Sequence, residues 1–443
     1  MLRGARVVTM DPARRILDAD VTVAAGRIAA IGRRRAPAGA AVLDCRGLVL
    51  LPGLVQGHVH LCQTLFRGLA DDLALEDWLA RRIWPLEAAH TEESVYWSAL
   101  LGGAELLLGG TTAILDMETV RHAGAAFEAL ETLGLRASAG KCLMDAPDAF
   151  PGLRETTDRA LGEAADLCAR WHGAAGGRLR YCFAPRFAPS CTGPLLRAAA
   201  DLAERSGALL HTHAAETPVE LELVRRRTGL DEITYLESVG IAGPRAALAH
   251  CVWVDGAGIG ALARQGTGVV HCPSSNLKLG SGIAPVPALL AAGCRVALGA
   301  DGAPCNNRLD AFTEMRLAAL IQKPRHGPEA LPAEQVLALA TRGGAEVLGL
   351  AAEIGSIEVG KRADLVVLDL RGPHVQPEAD LVSRIVYGAR ASDVRHVVVD
   401  GRVVVKDGRL KTGDVEEICR QANRWAGRLA RAAGLPATSG RGS

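Results

Sequence analysis

The sequence predicts an α/β protein: a (β/α)8 barrel with a small β-sandwich-like accessory domain built from both chain ends. Three observations carry that expectation. Between about residues 51 and 354, short apolar runs alternate with helical patterns, as parallel βαβ units require. Eight such runs can be counted, the number a closed barrel needs. Outside that span, the two ends share a strand–turn–strand style.

The first 50 residues contain Val21-Thr22-Val23-Ala24-Ala25-Gly26-Arg27-Ile28-Ala29-Ala30-Ile31-Gly32, two β-prone runs around a glycine turn. Residues 355–413 repeat the pattern. Ala363–Asp369 reads as one strand, and Asp400-Gly401 between two valine runs is a strong hairpin signal. These two segments are expected to assemble into the small β domain. The eight barrel strands are expected at Leu54–His60, Thr112–Asp116, Arg136–Leu143, Leu179–Phe183, Ala208–His213, Ala247–His250, Gly268–His271 and Val296–Asp301. Residues 414–443 form a closing helix, from about Val415 to Ala433, and a tail. A doubly wound open sheet is the alternative fold.

Bulk properties narrow the function. The chain has 443 residues, 49% of them hydrophobic, enough for one large core. Its formal net charge of +1 argues against a nucleic-acid partner. No run of about 18 apolar residues suggests a membrane span, and the start lacks the shape of a signal peptide. Eleven cysteines without a CxxC pair read as buried reduced thiols of a cytoplasmic protein. A homo-oligomer, dimer or tetramer, is expected.

The chemistry is expected at the C-terminal ends of the strands, where barrels of this type carry their active sites. The first strand ends Gly57-His58-Val59-His60. Alternate side chains of a strand share a face, so the two imidazoles converge. Arg186 follows strand 4, His213 strand 5, His250 strand 6, His271 strand 7 and Asp301 strand 8. Five of the 12 histidines thus close predicted buried strands. Buried polar groups cost free energy unless partnered, so packing alone explains this poorly. Three imidazoles, one carboxylate and a water suit Zn²⁺, with Fe²⁺ or Mn²⁺ as alternatives. Such an ion lowers the pKa of water from about 15.7 toward about 7. Glu216, three residues past His213, lies in the following loop, where a carboxylate can move protons; the alternative is a first-turn acid of the next helix.

This constellation resembles the amidohydrolase superfamily. The resemblance rests on Pro52-Gly53-Leu54 leading to His58-x-His60, on His213-x-x-Glu216, on Leu248-Ala249-His250-Cys251 and on Gly299-Ala300-Asp301-Gly302, and it spans nearly the whole chain. It implies one metal ion per chain, held by His58, His60, His213 and Asp301. It also implies Glu216 as proton shuttle, His250 as hydrogen-bond partner of the attacking water, and Asp301 as a second proton acceptor. Binuclear members carry a bridging lysine after strand 4. Phe183-Ala184-Pro185-Arg186-Phe187 has none, which points to the mononuclear branch. Lys141, after strand 3, reads as a structural or substrate-contacting residue, and the role of His271 stays open.

Two branches share the remaining motifs. Asn276-Leu277-Lys278-Leu279-Gly280-Ser281-Gly282, Arg67-Gly68-Leu69-Ala70-Asp71-Asp72 and Glu314-Met315-Arg316 resemble the methylthioadenosine/S-adenosylhomocysteine and 5′-deoxyadenosine deaminases. There Glu87 falls where the branch places an acid on the sugar hydroxyls; otherwise it is a helix-surface acid. Gln63, Pro185-Arg186-Phe187 and Gly140-Lys141-Cys142-Leu143-Met144-Asp145 are similar to guanine deaminases. Gln63 and Arg186 suit the edge of a purinone, with Arg186 alternatively paired to a buried acid. The expected activity is metal-dependent hydrolytic deamination of a purine, first a 5′-modified adenosine, then guanine or a related 2-amino purinone or pterin, and less so a triazine. The substrate contacts are expected from Gln63, Glu87, Arg186, Phe187, Glu216 and Asp301. A non-catalytic scaffold and a cyclic amidase are the readings from other classes. Pro304-Cys305 with Arg308 excludes the P-C-x-x-C signature of the other zinc deaminases.

Overall fold

A computed structural model of the chain describes residues 1–36 and 38–435. The expected tail beyond residue 435 lies outside the described residues. Eight parallel strands occur in the predicted order. They are β1 (Leu54–His60), β2 (Thr111–Met117), β3 (Arg136–Gly140, continued by Cys142–Leu143), β4 (Leu179–Pro185), β5 (Leu209–Ala214), β6 (Ala246–His250), β7 (Gly268–His271) and β8 (Arg295–Leu298, continued by Asp301–Gly302). Each neighbours the next in register, from β1–β2 round to β7–β8. The two halves of β8 lie at opposite ends of this order. Arg295–Leu298 pairs with β7, while Asp301 and Gly302 pair with Val59 and His60 of β1. The sheet thus closes on itself as a (β/α)8 barrel. Closure needs Gly299, because a Cβ there would stand 2.7 Å from the His58 carbonyl oxygen.

The strands read as continuous apolar runs because both faces are covered. β1, β2, β3, β6 and β7 are buried at every position, as in parallel sheets generally. Glycine-terminated helices return the chain between strands. Gly134, Gly207, Gly229 and Gly266 each follow a helix in the left-handed conformation that non-glycine residues resist.

The chain ends build one nine-stranded hydrogen-bonded sheet, in the path order Arg409–Leu410, Arg402–Lys406, Val394–Val399, Leu365–Leu368, Val49–Pro52, Leu2–Val8, Ile16–Ala24 and Arg27–Ile31, with Leu43–Asp44 beside Leu2–Val8. The last of the N-terminal strands, Val49–Pro52, runs almost directly into β1. A buried ion pair joins the sheet to the barrel: Arg136 of β3 donates to Asp364 at 2.7 and 3.0 Å. The closing helix, Val415–Ala432, places Ala422, Trp425 and Leu429 in one apolar cluster with Phe66, Leu75, Trp78 and Leu79. Among the described residues no helix is long and apolar enough to cross a membrane.

Candidate active site

β1 delivers His58 and His60 to the mouth of the barrel, β5 delivers His213, and the second half of β8 delivers Asp301. One ligand atom from each of the four lies within 4.8 Å of every other. His58 Nε2 and His60 Nε2 stand 3.2 and 3.3 Å from Asp301 Oδ1, and His60 Nε2 stands 3.1 Å from His213 Nε2. Asp301 and a further strand-end residue, His250 of β6, are held in unusual backbone. Asp301 has φ +62° and His250 φ +73°. Conformations of this kind cost on the order of 1–3 kcal/mol each for a non-glycine residue and persist where surrounding structure enforces them.

The far nitrogens of the three imidazoles are all engaged. His60 Nδ1 meets the Met117 carbonyl at 2.7 Å and His213 Nδ1 the Arg186 carbonyl at 2.5 Å. His58 Nδ1 lies 2.7 Å from His211 Nε2, and His211 Nδ1 lies 2.9 Å from the Ala247 carbonyl. A carbonyl only accepts, so His211 carries its proton on Nδ1 and accepts at Nε2. His58 then carries its proton on Nδ1, which leaves Nε2 as a bare lone pair. That Nε2 is buried and has no hydrogen-bond partner. Burial also pushes His58 down to about 4, against the pull of Asp301, so the ring is neutral. Neutral imidazoles around one carboxylate are what a divalent cation takes as ligands, and the residues present fit such an ion.

Three further groups face this cluster. Burial pushes Glu216 up to about 7, against the pull of His250. Its Oε1 accepts from Ser281 Oγ at 3.0 Å and its Oε2 stands 3.4 Å from His250 Nε2. His250 is fixed through Nδ1 by Asn276 Oδ1 at 2.9 Å and reaches toward Asp301 Oδ2 at 4.0 Å. Ser275 Oγ donates to Asp301 Oδ2 at 2.6 Å. Ser275, Asn276 and Ser281 all come from the loop and short helix after β7.

One pocket collects these residues. His60, His213, Glu216, His250 and Asp301 form its polar floor, with Gln63, Arg186 and Phe187 beside them, and Leu75, Trp78, Leu79 and Leu279 close an apolar wall. Glu87 is not at the pocket wall, and it is no surface acid. It is 3% exposed and accepts from Arg186 at 2.6 and 3.0 Å and from Gln63 Nε2 at 2.8 Å. Because a carboxylate only accepts, Gln63 must turn its amide nitrogen to Glu87, and its oxygen is left buried without a partner. Lys141 does not line this pocket and pairs with Glu155 and Glu163 at 2.8 and 2.6 Å. His271 is fully buried with neither ring nitrogen bonded.

Sequence reasoning alone gave no role to His211, Ser275, Asn276 or Ser281. His211 shares its face with His213, and the other three lie in the run after His271, so the signal was spacing rather than residue type.

Known proteins match along most of the chain. The model of the amidohydrolase family matches residues 49–404. A 5-methylthioadenosine/S-adenosylhomocysteine deaminase of Desulforudis audaxviator is 43% identical over 415 residues, covering 93% of this chain and 94% of that protein. A 5′-deoxyadenosine deaminase of Methanosarcina mazei is 39% identical over 431 residues, covering 97% and 98%. Among solved structures, an adenosine deaminase from Xanthomonas campestris with bound zinc is similar at a TM-score of 0.91 and 33% identity, over 97% of this chain and 98% of that one. With the barrel, the strand-end histidines and this extent of match together, the chain belongs to the amidohydrolase family.

Proposed function

We propose that this protein deaminates the purine ring of a 5′-modified adenosine (5′-deoxyadenosine, methylthioadenosine or S-adenosylhomocysteine), releasing ammonia and the inosine analogue. As a member of its family it is a hydrolase acting on C–N bonds. The observation that carries the reading is the convergence of Glu216 and His250 on the four-ligand cluster in one pocket, in a chain whose relatives bear these deaminase names.

In this reading one Zn²⁺ per chain is held by His58, His60, His213 and Asp301, with Fe²⁺ or Mn²⁺ able to replace it. When bound, such an ion supplies Lewis acidity that lowers the pKa of water toward neutrality. The rest belongs to the protein's own side chains. His250, held by Asn276, orients the attacking water through Nε2. Glu216 takes a proton from that water and gives it to the ring nitrogen next to the amine-bearing carbon. A carboxyl poised near pH 7 can do both. Asp301, steadied by Ser275, takes the second proton and passes it to the departing amine. Water has then added, ammonia has left, and a ring carbonyl replaces the amine. Gln63, Arg186 and Phe187 contact the substrate, with Glu87 holding the first two. Trp78 and Leu79 shield the reaction from bulk water.

Ammonia release tests the reading on a panel of 5′-deoxyadenosine, methylthioadenosine, S-adenosylhomocysteine, adenosine, guanine and pterin. The 5′-modified adenosines should give the highest kcat/KM, and turnover of guanine alone would overturn the assignment. Gln63 and Arg186 at the pocket wall favour guanine as the second reading. The proposal extends to a cytoplasmic dimer or tetramer. Ten of eleven cysteines are buried free thiols, and Val219 and Trp253 are each half exposed and available to an interface. Light scattering gives the mass.

A further inference from the structure

Glu216 sits on a loop that other buried acids hold from below. After β5 the chain turns at Ala215, which has φ +51° in the left-handed region. The amide of Ala215 donates to Glu232 Oε2 at 2.9 Å, and the next amide, that of Glu216 itself, donates to Glu220 Oε2 at 2.7 Å. The two acids come from consecutive helices, Pro218–Thr228 and Glu232–Ser238. Both are almost wholly buried, at 3% and 1% exposure, and their Oε2 atoms sit on two consecutive backbone amides of one turn, which brings the two carboxyls together. The second oxygen of each, Oε1, is buried with no hydrogen-bond partner.

Two carboxylates in contact in a dry site cannot both be ionised, because like charges at that distance repel strongly; one proton bridges them. Burial raises both groups, and the charge of Glu220 raises Glu232 further. The bridged pair then carries a single negative charge, and two consecutive backbone N–H groups of the Glu216 loop solvate it. On the opposite side, the Ala215 carbonyl accepts from the amides of Val252 and Trp253, just past β6. The left-handed turn that aims Glu216 at His250 is therefore pinned on both sides.

We infer that Glu220 and Glu232 act as a proton-sharing pair that positions Glu216 for proton transfer. Neither faces the pocket, so they are positioning residues rather than catalytic ones. The inference rests on the role proposed for Glu216. The pair predicts an unusual substitution pattern. Either single glutamine replaces the bridging proton with an amide N–H and keeps an oxygen for the backbone donor. A methionine keeps neither.

The test uses the zinc-loaded full-length protein with 5′-deoxyadenosine as substrate. Glu220→Gln and Glu232→Gln, made singly, should keep kcat within about threefold. Glu220→Met should lower kcat by roughly 10- to 100-fold with KM and zinc content unchanged. If Glu220→Met fails to fold, Glu232→Met serves in its place, and the glutamine variants read independently of both. Wild-type kcat in either methionine variant would overturn the inference, as would a glutamine variant that loses as much activity as its methionine counterpart. A fall in zinc content parallel to kcat would also overturn it, since the pair would then be holding the metal site and not Glu216. Absence of any ammonia release from the unsubstituted protein would instead refute the deaminase reading, so the two failures are distinguishable.

Discussion

At the scale of single residues, the proposed mechanism separates groups that hold from groups that move protons. Glu216→Gln keeps the shape of the side chain and the Ser281 contact but removes the carboxylate. It should retain metal and lose kcat by about 10²- to 10⁴-fold, the usual worth of positioned proton transfer. Metal analysis beside the kinetics checks this, and loss of metal would make Glu216 a ligand. His211 is a holding residue. It alone gives His58 a side-chain acceptor, whereas His60 and His213 lean on backbone carbonyls. Removing such an outer partner typically costs 10- to 100-fold in metal affinity. His211→Leu should weaken zinc binding by about that factor, measured by chelator competition, while His211→Gln, which can accept from His58 and donate to Ala247, should lose far less. Arg186 and Glu87 form a third case. Breaking a buried pair by removing one partner costs about 3–5 kcal/mol, because the other charge is stranded. Arg186→Met should therefore unfold at clearly lower urea, and the double variant Arg186→Met/Glu87→Met should lose less than the two singles added. That His58, His60, His213, Asp301, Glu216 and His250 converge was legible because each stands at or just past the end of an apolar run. Glu87 was less so, since an acid on a five-residue helix looks the same in sequence whether it faces water or Arg186. His211, Glu220 and Glu232 acquire roles only through tautomer, backbone donors and burial, which spacing does not report.

At the scale of elements, the strands were readable to within a few residues because barrel strands are apolar on both faces and end in polar groups. The exception is instructive. β8 appears in sequence as one run, Val296–Asp301, yet it divides after Leu298, and only its second half closes the barrel against β1. Gly299 permits the close approach to His58, a tertiary fact with no local signature. The closing helix, expected from about Val415 to Ala433, was also legible, but its task was not. Trp425 shares an apolar cluster with Trp78 and Leu79, which line the pocket. Trp425→Ala should cost about 3–5 kcal/mol, as large buried aromatics do. It should also raise KM more than it lowers kcat, because the pocket wall loosens while the metal cluster is untouched. Steady-state kinetics beside a denaturation curve separates the two effects.

At the scale of the whole molecule, one chain folds out from a sheet, round a barrel and back to the same sheet. The pairing of Val49–Pro52 with Leu365–Leu368 brings the two ends together just before β1 begins. Arg136 and Asp364 lock this junction from the barrel side, both nearly free of solvent. The sheet thereby sets where β1 enters the barrel and, through it, where His58 and His60 emerge. The proposed enzyme is a deaminase that works with one metal ion in this cluster. The most direct measurement titrates Zn²⁺ into metal-stripped protein and follows ammonia release from 5′-deoxyadenosine. Activity should rise linearly and level off at one equivalent per chain. Activity that survives complete metal removal, or that levels off only at two equivalents, would contradict it.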